Sequence, residues 1–285
     1  MGNFIICTDS AADLNGDYIK EHNIRVIPFY ISFDGENYLK ENIDLTQQDF
    51  YVRLTEHIQT IPKTSCPSIN DYMEVFAGCL EEAERVICIC LSSKLSGSYQ
   101  SACNAAAEFN DEEKRVFVVD SLLATAAQAL LVNEAVRMRK CKLSAEQTVE
   151  KLEMLKTTAR IDFVIDDLTY LQKGGRIGKA SALLGTLLNI KPVIALKDGE
   201  LFPVAKMRGR KKAAAEVKKL FTEQMEGHME EYSFTVLNFP QVGDIDGFCS
   251  FVTRPDIPYT AIGATIGSHA GITAAGIAYI KRYVP

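Results

Sequence analysis

Hydroxyl side chains recur in this chain just where apolar runs end and helical patterns begin. Thr8 and Ser10 follow the run Phe4–Cys7. Thr64, Ser65 and Ser68 precede a helical stretch, Ser92, Ser93, Ser96 and Ser98 follow the apolar run 86–91, and Ser121 follows 116–119. Polar groups at the carboxyl ends of parallel strands are where ligands of α/β proteins sit. A Ser-Gly-Ser segment such as Ser96-Gly97-Ser98 offers hydroxyls and backbone N–H groups to an anion at a helix start. Each of these residues singly reads as a helix N-cap; converging on one sheet edge, the set reads as a site for a small anionic group. The phosphate-binding patterns GxxxxGK[ST] and GxGxxG are absent, so a nucleotide cofactor has no support. Serine hydrolysis would need a nucleophile with a base, which Ser96 and His269 could supply. Leu95-Ser96-Gly97 lacks the leading glycine of the nucleophile elbow. His269 lies between Gly267 and Gly271, which predicts a tight turn.

The elements that position these residues alternate. Strands are expected at Phe4–Cys7, Val26–Ile31, Val86–Leu91 and Val116–Val119, with helices at Thr46–Ile58, Ile69–Arg85 and Tyr99–Phe109. VICICL at 86–91, continuous and apolar, predicts a strand buried on both faces. This alternation favours a mostly parallel sheet in an N-terminal α/β domain over residues 1–160. Residues 161–285 change in texture and are expected to form a second α/β domain. There, Leu183, Leu184, Leu187 and Leu188 lie on an apolar helix opening near Gly178, and Ile190 follows. Pro192–Leu196 and Leu201–Ala205 flank Asp198-Gly199 as a hairpin. A basic helix at 208–225 and strands at Ser233–Phe239 and Tyr259–Ile266 complete the reading.

With 285 residues and 47% hydrophobic content, the chain can bury a large core. Its net charge of −6 and pI near 5.4 argue against a general nucleic-acid binder. Eight scattered cysteines form no CxxC pair or metal-spaced cluster, which predicts reduced thiols in a cytoplasmic protein and no metal. Met1–Asp9 has no basic n-region, so no secretory signal is expected, and no apolar run reaches the ~18 residues a bilayer span needs. Two basic segments stand out: Lys173 to Arg176 around a glycine pair, and Lys206, Arg208, Arg210, Lys211 and Lys212. Charge runs are ordinarily solvated faces; on an acidic protein this one also suits an anionic lipid surface or an acidic partner.

Taken together and in order, the segments resemble the DegV family of fatty-acid-binding proteins. Thr8-Asp9-Ser10-Ala11-Ala12-Asp13-Leu14 resembles the family's TDSxADL. Residues 64–68 resemble TSxPS, with Cys66 where glutamine is common, and 92–102 resemble SSxLSGTYQSA with Ser98 for threonine. Val119-Asp120-Ser121, the stretch Tyr170–Ile177, Leu183-Leu184-Gly185 and Ile190-Lys191-Pro192 continue the match. The closing 262–271 resembles IGPVIGxHxGPG, with Ala264 and Ile272 in place of prolines. The resemblance implies a DegV-like two-domain fold that buries a long-chain fatty acid as ligand, with no other cofactor and no catalysis by the chain itself. It implies a carboxylate held by Thr64, Ser65, Ser96 and the Gly97 N–H, with His269 closing the network. It further implies that Arg176 and Arg208 serve transfer of the ligand, through transient contact with a membrane surface or a partner. That partner would be the ATP-dependent subunit of a bacterial fatty-acid kinase, which makes acyl phosphate for phospholipid metabolism. The hydrolase with Ser96 as nucleophile and His269 as base is the alternative.

Overall fold

The computed structural model describes residues 4–56, 61–111, 113–185, 189–239, 246–252 and 259–285. Three sheets organise the chain. The first has the order β2 (Ile24–Ile27), β1 (Phe4–Asp9), β6 (Arg85–Cys90), β7 (Val116–Asp120), and every pairing is parallel. Its central strands are buried on both faces, as their unbroken apolar runs require. On one face α3 (Ile69–Glu82) and α4 (Ser98–Ala107) bring Tyr72, Phe76, Ala102 and Ala105 onto Cys7, Cys88 and Cys90. On the other lies α5 (Thr125–Lys140), against which Ile6, Ile87 and Ile89 pack. The helices α1 (Gly16–Glu21), α2 (Gln47–Glu56) and α6 (Ala145–Leu155) flank this layer.

The second sheet runs β10 (Glu200–Arg208), β9 (Ile190–Lys197), β8 (Arg160–Val164), β13 (Ala275–Lys281), β11 (Tyr232–Asn238), β12 (Tyr259–Ala261). Only β11 and β12 pair in parallel; the other pairings are antiparallel. Its outer face holds α8 (Arg210–Met225), with Val217, Phe221 and Met225 on Phe234, Val236 and Ile277. Its inner face, including Ile161, Ile194, Leu237 and Ala278, joins the same buried cluster as α5. That placement explains why α5 is buried almost all round: a helix between two sheets has no solvent stripe. The buried cluster runs without interruption past Arg160, where β8 begins. A small antiparallel sheet, β4 (Leu39–Lys40), β3 (Tyr30–Ser32), β5 (Lys63–Ser65), carries Thr64 opposite Ile31. The short helices α7 (Thr169–Lys173), α9 (Phe248–Phe251) and α10 (Ala264–Ala270) complete the structure.

Four expectations need correction. Val26–Ile31 is not one strand: Pro28 lacks the N–H a ladder requires, and the chain leaves the first sheet after Ile27 to enter the small sheet at Tyr30. The apolar helix expected around 178–188 is a short 3-10 turn over Gly178–Leu183, and Leu187 and Leu188 lie outside the described residues. The strand expected at Tyr259–Ile266 ends at Ala261. His269 consequently stands in the last turn of α10, not in a tight loop between glycines. No described helix is long and apolar enough to cross a membrane.

Candidate functional site

A cavity of about 300 Å³ lies where the small sheet, the inner face of the large sheet and the loops after β6 and α7 meet. Phe29, Leu91, Phe163, Leu196, Leu237 and Ile262 supply much of its apolar wall. Polar groups gather at one part of the lining: Thr64 and Ser65 of β5, Ser96 and Gly97 ahead of α4, Arg176 after α7, and His269 of α10. Six of the seven expected site residues are therefore brought together. Arg208, at the exposed end of β10 opposite Ile190, is not among the lining residues.

The hydroxyl set divides by position. Ser68 is the N-cap of α3 in a full capping box with Asp71. Thr8 donates to the Ile89 carbonyl (2.7 Å), Ser92 to the Gly199 carbonyl (2.9 Å) and Ser98 to Asp9 Oδ2 (2.7 Å), so these hydroxyls hold the framework together. Ser96 differs: its Oγ accepts from the Ser98 N–H (3.2 Å), which leaves its own proton available to the cavity. Gly97 is the N-cap of α4, where backbone N–H groups lie outside the intrahelical ladder. Thr64 Oγ1 lies 2.8 Å from His269 Nε2. If Nε2 carries the proton and donates to Thr64, the threonine hydroxyl can turn its own proton into the cavity.

His269 is held neutral. Burial first, and then the nearby Arg176 charge, pull its pKa down to about 4. Arg176 itself is exposed at the mouth, where Nε donates to the Leu95 carbonyl (3.0 Å) and Nη1 to the Gly174 carbonyl (2.6 Å). It thus ties the loop before α4 to the turn after α7. No hydrogen bond joins Ser96 to His269, whose Nε2 is engaged with Thr64.

The glycines around 174 and 271 have a packing reason that sequence spacing does not reveal. A Cβ on Gly174 would collide with Nδ1 of His269, and one on Gly271 would stand 2.9 Å from the Tyr170 ring. The two glycines let α7 and α10 approach each other and seat the imidazole. Gly174→Ala is expected to push the ring off Thr64 and toward water, so that His269 titrates nearer its unburied value of about 6.5. An imidazole that still titrates at about 4 in NMR of this variant would show that the ring had stayed in place.

Several lining residues were missed. Cys66 sits within the Thr64–Ser68 segment and reaches the polar part of the cavity. Thr125 and Thr265 line it from α5 and α10, where nothing in their spacing distinguishes them from core residues. Of the described leucines near 184, Leu183 packs in the core, the ordinary place for an apolar residue, and Leu184 is exposed. The leucines that line the cavity are Leu91, Leu95, Leu171, Leu196, Leu201 and Leu237, drawn from five separate segments. Among the described residues no group of three or more His, Cys, Asp and Glu is placed to hold a metal.

Known proteins resemble this chain over almost its whole length. A DegV domain-containing protein of Halalkalibacterium halodurans is 34% identical, covering 99% of this chain and 100% of its own length. Among solved structures, a stearic-acid-binding protein from Eubacterium ventriosum superposes with a TM-score of 0.90 at 33% identity, covering 99% of both chains. A fatty-acid-binding DegV family protein from Thermus thermophilus gives 0.87 at 32% identity over 98% of this chain and 99% of its own. DegV of Bacillus subtilis, also described as a fatty-acid-binding protein, gives 0.84 at 28% identity over 99% of this chain and all of its own. The model of the DegV family, a family described as uncharacterised, matches residues 3–282, and the chain belongs to that family.

Proposed function

We propose that this chain binds one long-chain fatty acid, with its acyl chain in the apolar cavity and its carboxylate at Thr64, Ser65, Ser96 and the Gly97 N–H. The observation that carries this reading is the cavity itself, apolar along most of its wall and furnished with neutral donors at one part. The fatty-acid-binding relatives that cover almost the whole chain support it. Burial of about a dozen methylenes at ~0.8 kcal/mol each gives a gross gain on the order of 10 kcal/mol. Association and ordering costs reduce this gain without cancelling it. At pH 7 a neutral His269 backs Thr64 without placing a cation against the carboxylate.

That neutrality suits a carrier. A carboxylate held by hydroxyls and an amide keeps a nucleophilic oxygen, whereas a bidentate arginine pair would engage both oxygens. We infer that the protein presents the acid to a separate ATP-dependent kinase subunit. There a carboxylate oxygen attacks the γ-phosphorus, releasing ADP and leaving an acyl phosphate. Arg176 at the mouth and Arg208 on β10 would meet an anionic membrane or that subunit during exchange. The eight free cysteines suit a reducing, cytoplasmic setting.

Mass spectrometry of freshly purified, denatured protein is expected to release about one equivalent of a long-chain fatty acid. A protein that emerges empty and takes up none from fatty-acid-loaded vesicles would overturn the binding reading. Addition of a fatty-acid kinase subunit and ATP is expected to yield acyl phosphate, trapped as hydroxamate. No product from ligand-loaded protein would remove the kinase role while leaving binding intact.

A further inference from the structure

The helix that presents His269 is fastened at its other end by a buried carboxyl group. Glu41 accepts from the Thr265 N–H (3.0 Å), the Thr265 hydroxyl (2.5 Å) and the Ser10 hydroxyl (2.6 Å). Ser10 in turn accepts from the Phe29 N–H (2.9 Å). Glu41 directly follows β4, in the same small sheet whose β5 carries Thr64. One carboxylate therefore links the sheet that bears Thr64 to the helix that bears His269.

A second acid faces it. At Gly263, the N-cap of α10, a Cβ would collide with Asp13 Oδ1 and lie 2.7 Å from Glu41 Oε1. The two carboxyl groups thus close on one point that only glycine leaves open. Both carboxyl oxygens of Asp13 are buried without a hydrogen-bond partner. Thr125, 4% exposed on the neighbouring α5, has an unpartnered hydroxyl and faces Asp13. The groups around Asp13 are Glu41 after β4, Asp9 at the end of β1, Thr125 of α5 and the Gly263 N–H ahead of α10. None of these is a cation. Two carboxylates in such surroundings cannot both be ionised at neutral pH.

We propose that Asp13 and Glu41 form a carboxyl pair sharing one proton, which clamps the start of α10 and so positions His269 against Thr64. Glu41, with three donors aimed at it, keeps the charge, and Asp13 keeps the proton. Burial and then the Glu41 charge push Asp13 well above the usual carboxylate range, in accord with that assignment. Both acids are positioning residues: neither lines the cavity. As pH rises through the elevated pKa of Asp13, a second negative charge forms beside Glu41, the pair repels and the clamp loosens. Its consequence for ligand affinity rests on the fatty-acid reading above; its consequence for His269 does not.

The test therefore reads both. In ligand-free protein, NMR titration of His269 is expected at about 4 in the wild type and to rise toward ~6.5 in Glu41→Ala. Glu41→Gln, which keeps an acceptor for the Thr265 N–H, should restore most of the low value. Thr265→Val serves if Glu41→Ala does not fold, with a smaller shift in the same direction. Fatty-acid affinity should fall about tenfold in Glu41→Ala, the size of one lost charge-assisted hydrogen bond. It should fall with rising pH in the wild type and stay level in Asp13→Asn. An unmoved His269 titration in both Glu41→Ala and Thr265→Val would overturn the clamp, as would an Asp13→Asn protein that keeps the wild-type alkaline decline. A wild-type protein that binds no fatty acid would sink the ligand reading alone, because the imidazole titration would still decide the positioning role.

Discussion

Removing two hydroxyls together, with Thr64→Ala and Ser96→Ala in one chain, is expected to weaken fatty-acid binding by about two to four orders of magnitude. Each hydrogen bond to a charged group contributes roughly 1.5–3 kcal/mol, and a factor of ten in affinity is about 1.4 kcal/mol. That range is the sum of the two contributions, and because both hydroxyls are proposed to grip one carboxylate, a double-mutant cycle should show a coupling between them as well. Thr64→Ala alone should fall at the low end, because His269 Nε2 then loses its partner and can donate to the carboxylate itself. Ser96→Ala removes a proton donor and also the acceptor of the Ser98 N–H. Both side chains are only partly buried at the cavity, so thermal unfolding should change little. Displacement of a fluorescent fatty acid measures the loss, and affinity within threefold of wild type would place the head-group elsewhere.

The largest stability effect is expected at Gly276, in the middle of the six-stranded sheet. Its strand, β13, is paired on both sides, with Gly276 opposite Leu237 of β11 and Phe163 of β8. A methyl group there would collide with the Asp162 carbonyl oxygen and lie 2.6 Å from Cβ and 2.7 Å from Cα of Phe163. Two of those atoms are backbone of a neighbouring strand, which cannot swing aside as a side-chain end can. Overpacking of this kind costs typically 1–3 kcal/mol, and a backbone clash belongs at or beyond the upper end. At roughly 2–4 °C per kcal/mol, Gly276→Ala should lower Tm by roughly 6–12 °C. Phe163 also lines the cavity, so ligand affinity should drop with it. Gly78→Ala is the control: exposed in α3, with nothing within 4 Å of the added carbon, it should stabilise by about 0.5–1 kcal/mol. Equal melting temperatures for Gly276→Ala and wild type would mean that the two strands lie farther apart than described.

The contrast between those two glycines shows what a sequence carries. Gly78 and Gly276 are the same residue, and only their neighbours separate a favourable substitution from a damaging one. β13 itself went unread for a related reason. Its Ala-Gly-Ile-Ala start dilutes the β-branched signal that marks strands, and it is a strand because β8 and β11 leave it a place between them. Ile262–Ile266 reads as strand by composition, yet Glu41, more than two hundred residues away, caps the backbone at Thr265 and the segment folds as helix from Ala264. Pro28, by contrast, announces its break locally through the N–H it lacks.

Local chemistry was written plainly in the chain: the buried strand VICICL, the helix N-cap at Ser68, the hairpin around Asp198-Gly199, and hydroxyls at the ends of strands. These depend on contacts within a few residues, where spacing and side-chain type suffice. The three-dimensional structure alone decided which hydroxyls face the cavity and which brace the framework, since Ser96 and Ser98 differ only in what surrounds them. It also decided which leucines, Leu91, Leu95, Leu171, Leu196, Leu201 and Leu237, supply the apolar wall. It placed Asp13 beside Glu41 as well. Those outcomes are set by which distant segments meet in the packed core, and burial, which turns a carboxyl or an imidazole into something other than its solution self, exists only once they have met.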